Sequence, residues 1–568
     1  MARPEKVRLG ELLVQQQLIS EEQLKAALEQ QKGSGRKLGR IFVESGFVTE
    51  EQISGALARQ LQVPYINLKQ YNLNSALVQL LSEAQARRFR ALVLEEVQGA
   101  LRVGMVDPTD LFAYDEIGRI LKRELQLAVV TESQLLTTVD RVYRRTGEIT
   151  QLSQELTAEL AQTEADFGAL LGVAASVEDA PVVKLLQSLF EDAVQVRASD
   201  IHIEPQERKL QIRFRIDGVL HLQMETDSKI APALVLRLKL VSGLDISEKR
   251  LPQDGRFHMS IRGNAVDVRI SSMPTQYGES VVMRLLNQGS GLLGLERLGM
   301  PPRILERVRH AVARPSGMVL VTGPTGSGKT TSLYAALSEI NTPERKIITV
   351  EDPVEYRLPG INQVQVHEKI DLTFERVLRS ALRQDPDVIL VGEMRDRATA
   401  EIGLRAAMTG HMVLSTLHTN DAASTPIRLL DMGVPPYMVA MSLNLVLAQR
   451  LLRVVCENCA KTHIPTAQEQ EWLRTEMDGQ QSSGGFAKGQ GCSQCNGTGY
   501  VGRTGVYEML EMTHALVEAA NHQEPGDFVR LARQQIGKAT LMHDAVRLAL
   551  TGRTTIDEAM RISAQIDD

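Results

Sequence analysis

The chain has 568 residues, 43% apolar and 24% charged, a soluble globular balance large enough for roughly three to five domains. A net charge of −6 supplies no global basic field, so nucleic acid is not an expected partner. No run approaches the ~20 apolar residues that span a bilayer, and the first ten residues hold no signal-peptide core; four cysteines in so long a chain argue against a disulfide framework.

The N-terminus carries a tandem repeat. Residues 8–31 realign with 37–60 at an offset of 29, pairing Leu9 with Leu38, Gly10 with Gly39, Val14 with Val43, Glu22 with Glu51 and Gln31 with Gln60. Each copy reads as a short amphipathic helix, a turn and a second helix opened by Ser20 or Thr49 as N-cap. Such units usually stack to share a core. Strand-like runs follow at 91–94, 100–106 and 127–130, with a turn at Asp107–Asp110, so a regulatory-sized unit is expected over 1–145. Residues 146–179, rich in Gln, Glu, Ala, Ser and Thr, read as a linker. A second α/β lobe is expected over 180–290, and a C-terminal domain over 291–568, with a cysteine-bearing insertion at 451–505 and a helical tail.

In that last domain an apolar run, Met318–Val321, precedes Gly323-Pro324-Thr325-Gly326-Ser327-Gly328-Lys329-Thr330, and a helix-like stretch begins at Thr331. The order strand, glycine-rich loop, helix is the context this phosphate-binding motif requires. Glycines let backbone N–H groups turn around phosphate oxygens, Lys329 reaches the β/γ-phosphates, and the Thr330 hydroxyl can hold Mg²⁺. A nucleoside triphosphate is the expected ligand. Another apolar strand, Ile347–Val350, ends in Glu351, Asp352 and Glu355, which points to Mg²⁺, a general base or an acidic solvated turn. A third, Val388–Val391, runs into Glu393, a Walker B candidate. The segment Gly410–Asn420 carries His411 and His418. Either imidazole alone is more often structural than catalytic, but His418 is placed to hydrogen-bond a γ-phosphate. Finally, Cys456 and Cys459 form one CxxC pair and Cys492 and Cys495 a second, the two separated by 32 residues. This spacing predicts a closed structural Zn²⁺ site, with a redox pair or a metal-free site as alternatives.

Taken in this order, the phosphate loop, the EDPVE box, the DPDVILVGEMRD strand and the GHMVLSTLHTN segment resemble the secretion ATPase superfamily, which includes type II secretion ATPases and type IV pilus motors. The resemblance runs from about residue 180 to the C-terminus. It implies an α/β multidomain protein: a RecA-like P-loop ATPase core, a PAS-like α/β lobe before it, and a helical and α/β N-terminal domain. It further implies a homohexamer with ATP between the two lobes. Glu355 becomes the water-activating carboxylate and Glu393 the Walker B carboxylate, while His411 and His418 fall in a His box. Arg269 and Arg284, 15 residues apart, match arginine fingers, although on their own residues they read as surface cations. Ala198–Pro205 also matches, with no chemical role assigned. The four-cysteine insertion accompanies assembly and secretion ATPases rather than retraction motors.

The N-terminal repeat is similar to the cyclic-di-GMP-binding MshE-type domain of MSHA-type pilus ATPases. That resemblance implies ligand contacts from Arg8, Gly10, Gln31, Lys37, Gly39, Gln60 and Asp107. The tenth motif position is usually glycine there. Gly46 fits, whereas Gln17 in the first copy is expected to resist the left-handed turn and to weaken that half-site. The expected protein is a cytoplasmic hexameric ATPase, peripheral at the inner membrane, that powers pilus assembly through a membrane platform partner under cyclic-di-GMP control. Two alternatives stand beside it: a type II secretion ATPase whose repeats only dock a partner, and a regulator that binds nucleotide without turnover. Intact Lys329, Thr330, Glu355 and Glu393 argue against the second.

Overall fold

The computed structural model describes residues 9–34, 38–143, 146–162, 180–261, 263–287, 293–477, 484–521 and 525–567. They fall into two compact units: the first takes residues up to 197 together with 456–460 and 489–499, and the second takes the rest.

The first unit opens with the repeat as two helical hairpins, α1 (Leu9–Gln15) with α2 (Glu21–Ser34) and α3 (Leu38–Glu44) with α4 (Glu50–Leu61). Both second helices start with the same capping box. Ser20 and Gln23 exchange side-chain and backbone hydrogen bonds, and so do Thr49 and Gln52. The buried core of the repeat obeys the same offset: Leu12 with Ile41, Leu13 with Phe42, Ile19 with Val48, Ala27 with Ala56. The two copies therefore stack by presenting equivalent apolar positions to each other.

The turn between helices is also repeated, and here the sequence expectation for Gln17 fails. Gln17 takes φ 57°, the left-handed region, as Gly46 does at φ 70°. The hydrogen bonds are superimposable: Leu18 N–H donates to Leu13 O and Phe47 N–H to Phe42 O. The geometry of the hairpin outweighs the side-chain penalty, which is about 1–2 kcal/mol for a non-glycine residue.

After the repeat, β1 (Ala91–Val97) and β2 (Ala100–Met105) form an antiparallel pair, and β3 (Leu125–Val129) lies parallel to β2. The expected linker is only partly one. Residues Thr146–Gln162 form a helix that buries Ile149, Leu152 and Leu156 and packs on the helix Pro181–Gln195. Those three residues share one helical face at i, i+3 and i+7, a pattern masked by the polar composition. The remainder, 163–179, lies outside the described residues.

The second unit holds two sheets. The smaller is antiparallel throughout, with strands β4 (Ala198–Pro205), β5 (Lys209–Ile216), β6 (Val219–Asp227), β7 (Gln253–Ile261), β8 (Asn264–Thr275) and β9 (Gly278–Asn287) in the order β6-β5-β4-β9-β8-β7. The larger comprises β10 (Gly317–Thr322), β11 (Ile347–Glu351), β12 (Asn362–Gln365), β13 (Val388–Val391), β14 (Met412–Leu417), β15 (Leu443–Val455) and β16 (Tyr500–Glu511). Its order is β12-β11-β13-β14-β10-β15-β16, parallel except for β16. Strands β10, β13 and β14 are buried along their whole length, as expected for parallel strands covered on both faces. A parallel sheet delivers the carboxyl ends of its strands to one edge. The loops after β10, β11, β13 and β14 therefore carry the phosphate loop, the acidic box, Glu393 and His418 to the same rim.

The cysteine segment departs from its expected place inside the C-terminal domain. Residues 456–460 and 489–499 cluster with the first unit, and the turn Ser493–Cys495 lies against the helix Glu132–Val142. The flanking strands β15 and β16 remain paired in the core sheet.

Replacing Gln17 by glycine removes the left-handed strain at some cost in unfolded-chain entropy. The variant is expected to stabilise the repeat by about 0.5–1 kcal/mol. Amide exchange over residues 9–61 of the full chain should slow by roughly twofold to fivefold.

Candidate nucleotide site and cysteine centre

The phosphate loop bends through three positive-φ glycines: Gly323 at 146°, Gly326 at 79° and Gly328 at 88°. Gly328 caps the helix Lys329–Ile340, so Thr330 and Thr331 sit in its first turn. The loop is backed closely by β15. A Cβ on Gly323 would lie 2.4 Å from the Gln449 carbonyl oxygen, and one on Gly328 would lie 2.8 Å from Gln449 Nε2. Gly323 is required twice, by its torsion and by the strand backbone behind it, and Gly328 by its torsion. Gln449 also accepts a hydrogen bond from Ser332 at 2.7 Å, and buried Arg450 donates to the Asn420 carbonyl at 2.9 Å. Among the described residues the buried Ser327 hydroxyl has no hydrogen-bond partner, and such a group fits a site that takes up a polar ligand. Pro324 and Thr325 complete the loop between Gly323 and Gly326.

Lys329 folds back onto this loop, donating to the carbonyls of Gly323 at 2.7 Å and Pro324 at 3.0 Å. Burial brings its pKa down to about 8; Glu393 acts in the opposite direction and Arg450 adds to the depression. A depressed lysine is one whose charged form lacks solvation, and a phosphate would restore it.

Around this lysine the rim assembles. Glu393 pairs with Arg395 and lies 3.5 Å from His418 Nε2. Thr322 at the end of β10 accepts the Thr419 N–H at 3.0 Å, which binds the His418 loop to the root of the phosphate loop. His411 is elsewhere. It precedes β14, its carbonyl accepts Gly317 N–H at the start of β10, and its ring lies against the Ala406 carbonyl. It belongs to the opposite edge of the sheet, so only one of the two histidines reaches the rim.

The smaller sheet contributes the cations. Arg269 on β8 and Arg284 on β9 are directly paired in register, and Arg284 is paired with Asp200 on β4. Arg269 Nη1 donates to Glu355 Oε2 at 2.9 Å, and its Nη2 donates to the Val354 carbonyl. Arg284 Nε donates to buried Asp200 at 3.0 Å. One row across three strands thus reads Arg269, Arg284, Asp200. The Ala198–Pro205 motif, which had no chemical role assigned from its residues, supplies the carboxylate that holds Arg284. Tyr334, Gln449 and Arg450 fall outside the motifs read from the sequence, whereas Asp200 lies inside one that carried no assigned role. The only sequence signal was a buried-type polar residue on an apolar strand or helix face.

The four cysteines do come together. Cys456 and Cys492 Sγ are 3.7 Å apart, Cys459 and Cys495 3.8 Å, and Cys492 and Cys495 3.7 Å. A tetrahedral Zn²⁺ with bonds of about 2.3 Å has ligand edges of about 3.8 Å, so the donor set fits that ion. Cys495 Sγ also accepts N–H groups from Cys492 at 3.1 Å and Gly499 at 3.2 Å, which orient it toward the other three sulfurs.

In the repeat, Gly10 is buried, and Leu24 Cδ1 occupies the space 2.3 Å from where its Cβ would stand, so this glycine serves helix packing here. Gly39 and Gln31 are half-buried and Gln60 is exposed on α4. Asp107 accepts hydrogen bonds from the N–H and hydroxyl of Thr109. Arg8 and Lys37 lie outside the described residues.

The chain is similar to known proteins. Residues 175–561 match the family described as Type II/IV secretion system protein, and residues 61–149 match the MshEN domain. The chain belongs to the type II/IV secretion system protein family. The type IV pilus assembly ATPase PilB of Myxococcus xanthus is 40% identical over 557 residues, covering 97% of this chain and 98% of that protein. The type II secretion system ATPase E of Vibrio cholerae is 41% identical over 466 residues, 81% of this chain and 91% of that one. The Legionella pneumophila ATPase DotB shares the fold, with a TM-score of 0.50 at 22% identity over 67% of this chain and 95% of that chain. As a member of this family the chain is an ATPase, with an MshEN domain before the motor. Among the described residues no helix is long and apolar enough to cross a membrane.

An anion held at Lys329 should return its pKa toward the ordinary lysine value. Nucleotide binding by this secretion ATPase is therefore expected to take up about half a proton per site near pH 8, and almost none at pH 6.5, where Lys329 is already charged. Calorimetry in buffers of different ionisation enthalpy measures this directly. On the same residue's account, folding stability rises with pH between about 8 and 10.5, because over that window the unfolded chain holds a proton the folded chain has lost.

Proposed function

We propose that this chain is a hexameric motor of type IV pilus assembly, working in the cytoplasm against an inner-membrane platform protein and controlled by cyclic-di-GMP at its N-terminal repeat. The observation that carries the motor reading is the ion pair between Arg269 of the smaller sheet and Glu355 of the core rim. Such a pair couples chemistry to movement, because a triphosphate at Lys329 competes for the arginine.

In this reading the backbone from Gly323 to Thr331 cradles the ATP phosphates and Lys329 neutralises them. The Thr330 hydroxyl and Glu393 are the residues suited to hold Mg²⁺, which when bound would offset the charge of the phosphates. Glu355 accepts the proton of the attacking water. Its oxygen is occupied by Arg269 until the guanidinium turns to the phosphoryl group. Arg284, held by Asp200, is a second cation in the same row, and His418 reports γ-phosphate through Glu393. The cysteines hold a structural Zn²⁺. The chain divides as a regulatory domain at 1–145, a connection over 146–179, an α/β lobe at 180–290 and the ATPase domain beyond 291.

Assembly of pili is favoured over type II secretion by coverage. The PilB relative aligns over 97% of this chain, N-terminal repeat included, against 81% for the secretion ATPase. Guanine recognition by Arg8 and by Gln31 and Gln60, with Gly10, Lys37, Gly39 and Asp107 nearby in the motif, follows from the resemblance to MshE-type domains. The docking-only reading remains its competitor.

Phosphate release by the full-length hexamer tests the motor. Arg269→Ala and Glu355→Gln are each expected to lower kcat by about 10³-fold, with Lys329→Ala as the binding control; wild-type turnover in Glu355→Gln would remove it as the base. For the sensor, calorimetry of the full chain with cyclic-di-GMP should give heat that Arg8→Ala weakens by at least about tenfold. No heat from the wild type would leave the repeat as a docking element.

A further inference from the structure

Tyr334 stands on the phosphate-loop helix, four residues beyond Thr330 and so one turn further along the same face. Its ring is fully buried, edge-on to Tyr356 with centroids 6.1 Å apart. Its hydroxyl lies where this helix meets the acidic box. It donates to Glu351 and accepts the N–H of Glu355 at 3.3 Å.

The direction of those bonds is set by Glu351. That carboxylate is 3% exposed and also receives Thr349 Oγ1 and, at 3.3 Å, Gln363 Nε2. A carboxylate only accepts, so the phenolic proton must point at it and the phenol's lone pairs face the Glu355 amide. Burial and the Glu351 charge both push the phenol pKa far above its ordinary value, so this proton stays in place at any working pH. Of the carboxylates that looked equivalent in sequence, Glu351 is turned inward as an anchor. Asp352 lies 3.5 Å from Arg395, and Glu355 faces Arg269.

We propose that Tyr334 is a positioning residue for hydrolysis. It fixes the backbone of Glu355 to the helix whose first turn binds the phosphates, so that loading of the loop and placement of the carboxylate are one event. This rests on Glu355 being the base. Removing the hydroxyl alone leaves the ring's volume but strips the Glu355 amide of its acceptor. A side chain that serves only the core would lower the melting temperature and leave the balance of kcat and KM alone.

The test is steady-state ATP hydrolysis by the full-length hexamer as Tyr334→Phe, Glu355→Gln and the double variant. Tyr334→Phe is expected to lower kcat by roughly tenfold to 10²-fold, since small misplacements of reacting groups cost that much. KM for ATP should stay within about twofold, because the phosphate contacts are untouched. The double variant should be no slower than Glu355→Gln alone. An unchanged kcat in Tyr334→Phe, or losses that multiply in the double variant, would overturn the proposal while leaving Glu355 as base. A fully active Glu355→Gln would instead remove the base, and the positioning role with it. Should Tyr334→Phe not fold, exchange of the Glu355 amide in the wild type decides. A non-hydrolysable ATP analogue with Mg²⁺ is expected to slow it by about fivefold or more, and an unaltered rate contradicts the link.

Discussion

A parallel sheet cannot choose where its functional residues emerge: all its strands end at one edge. That constraint makes the site. Strands β10, β11, β13 and β14 are apolar because they are buried on both faces, and their burial fixes the register in which four loops arrive together. The phosphate loop after β10 is then meshed with β15 so tightly that Gly323 has no room for a side chain. Lys329 is held in the bend with its charge poorly solvated. An anion beside it would restore that solvation, and ATP, the nucleotide of the ATPase family to which the chain belongs, carries such anions in its phosphates.

The second constraint is electrostatic and crosses from one sheet to the other. Arg269 does not point into solvent; it spans from β8 to Glu355. Neighbouring Arg284 is occupied by buried Asp200, so the two arginines of one row face different partners. In the proposed motor, Arg269 reaches a phosphoryl group by exchanging partners. A group that must leave a carboxylate to stabilise a phosphate responds to the nucleotide with a change of contacts, and only such differential contacts can bias one geometry against another.

Much of this was readable in the chain. The phosphate loop, the acid-tipped strands and the paired CxxC units are contiguous, and each motif carries its own chemistry in adjacent residues. The repeat was readable because its offset holds even for the buried positions, as Leu13 and Phe42 illustrate. What the sequence hid was non-local. Tyr334 and Glu351 are 17 residues apart and meet only across the helix–strand interface. Asp200 finds Arg284 through strand pairing 84 residues away. The two histidines flank one strand, as the sequence indicates, but which end meets the rim is set by the direction of that strand in the parallel sheet, and His411 lies at the opposite edge. The helix at 146–162 was hidden by composition, since three apolar residues on one face suffice to pack it. Gln17 marks the reverse case, in which a local preference was read correctly and the packing of two hairpins overrode it.

The account stands or falls on Arg269. A structure of the full-length hexamer with a non-hydrolysable ATP analogue and Mg²⁺ measures its contacts directly. The guanidinium should have left Glu355 for the γ-phosphate, with Lys329 and Glu393 converging on the same group. An Arg269–Glu355 pair still at about 3 Å in every nucleotide-filled subunit would contradict the coupling of lobe movement to hydrolysis.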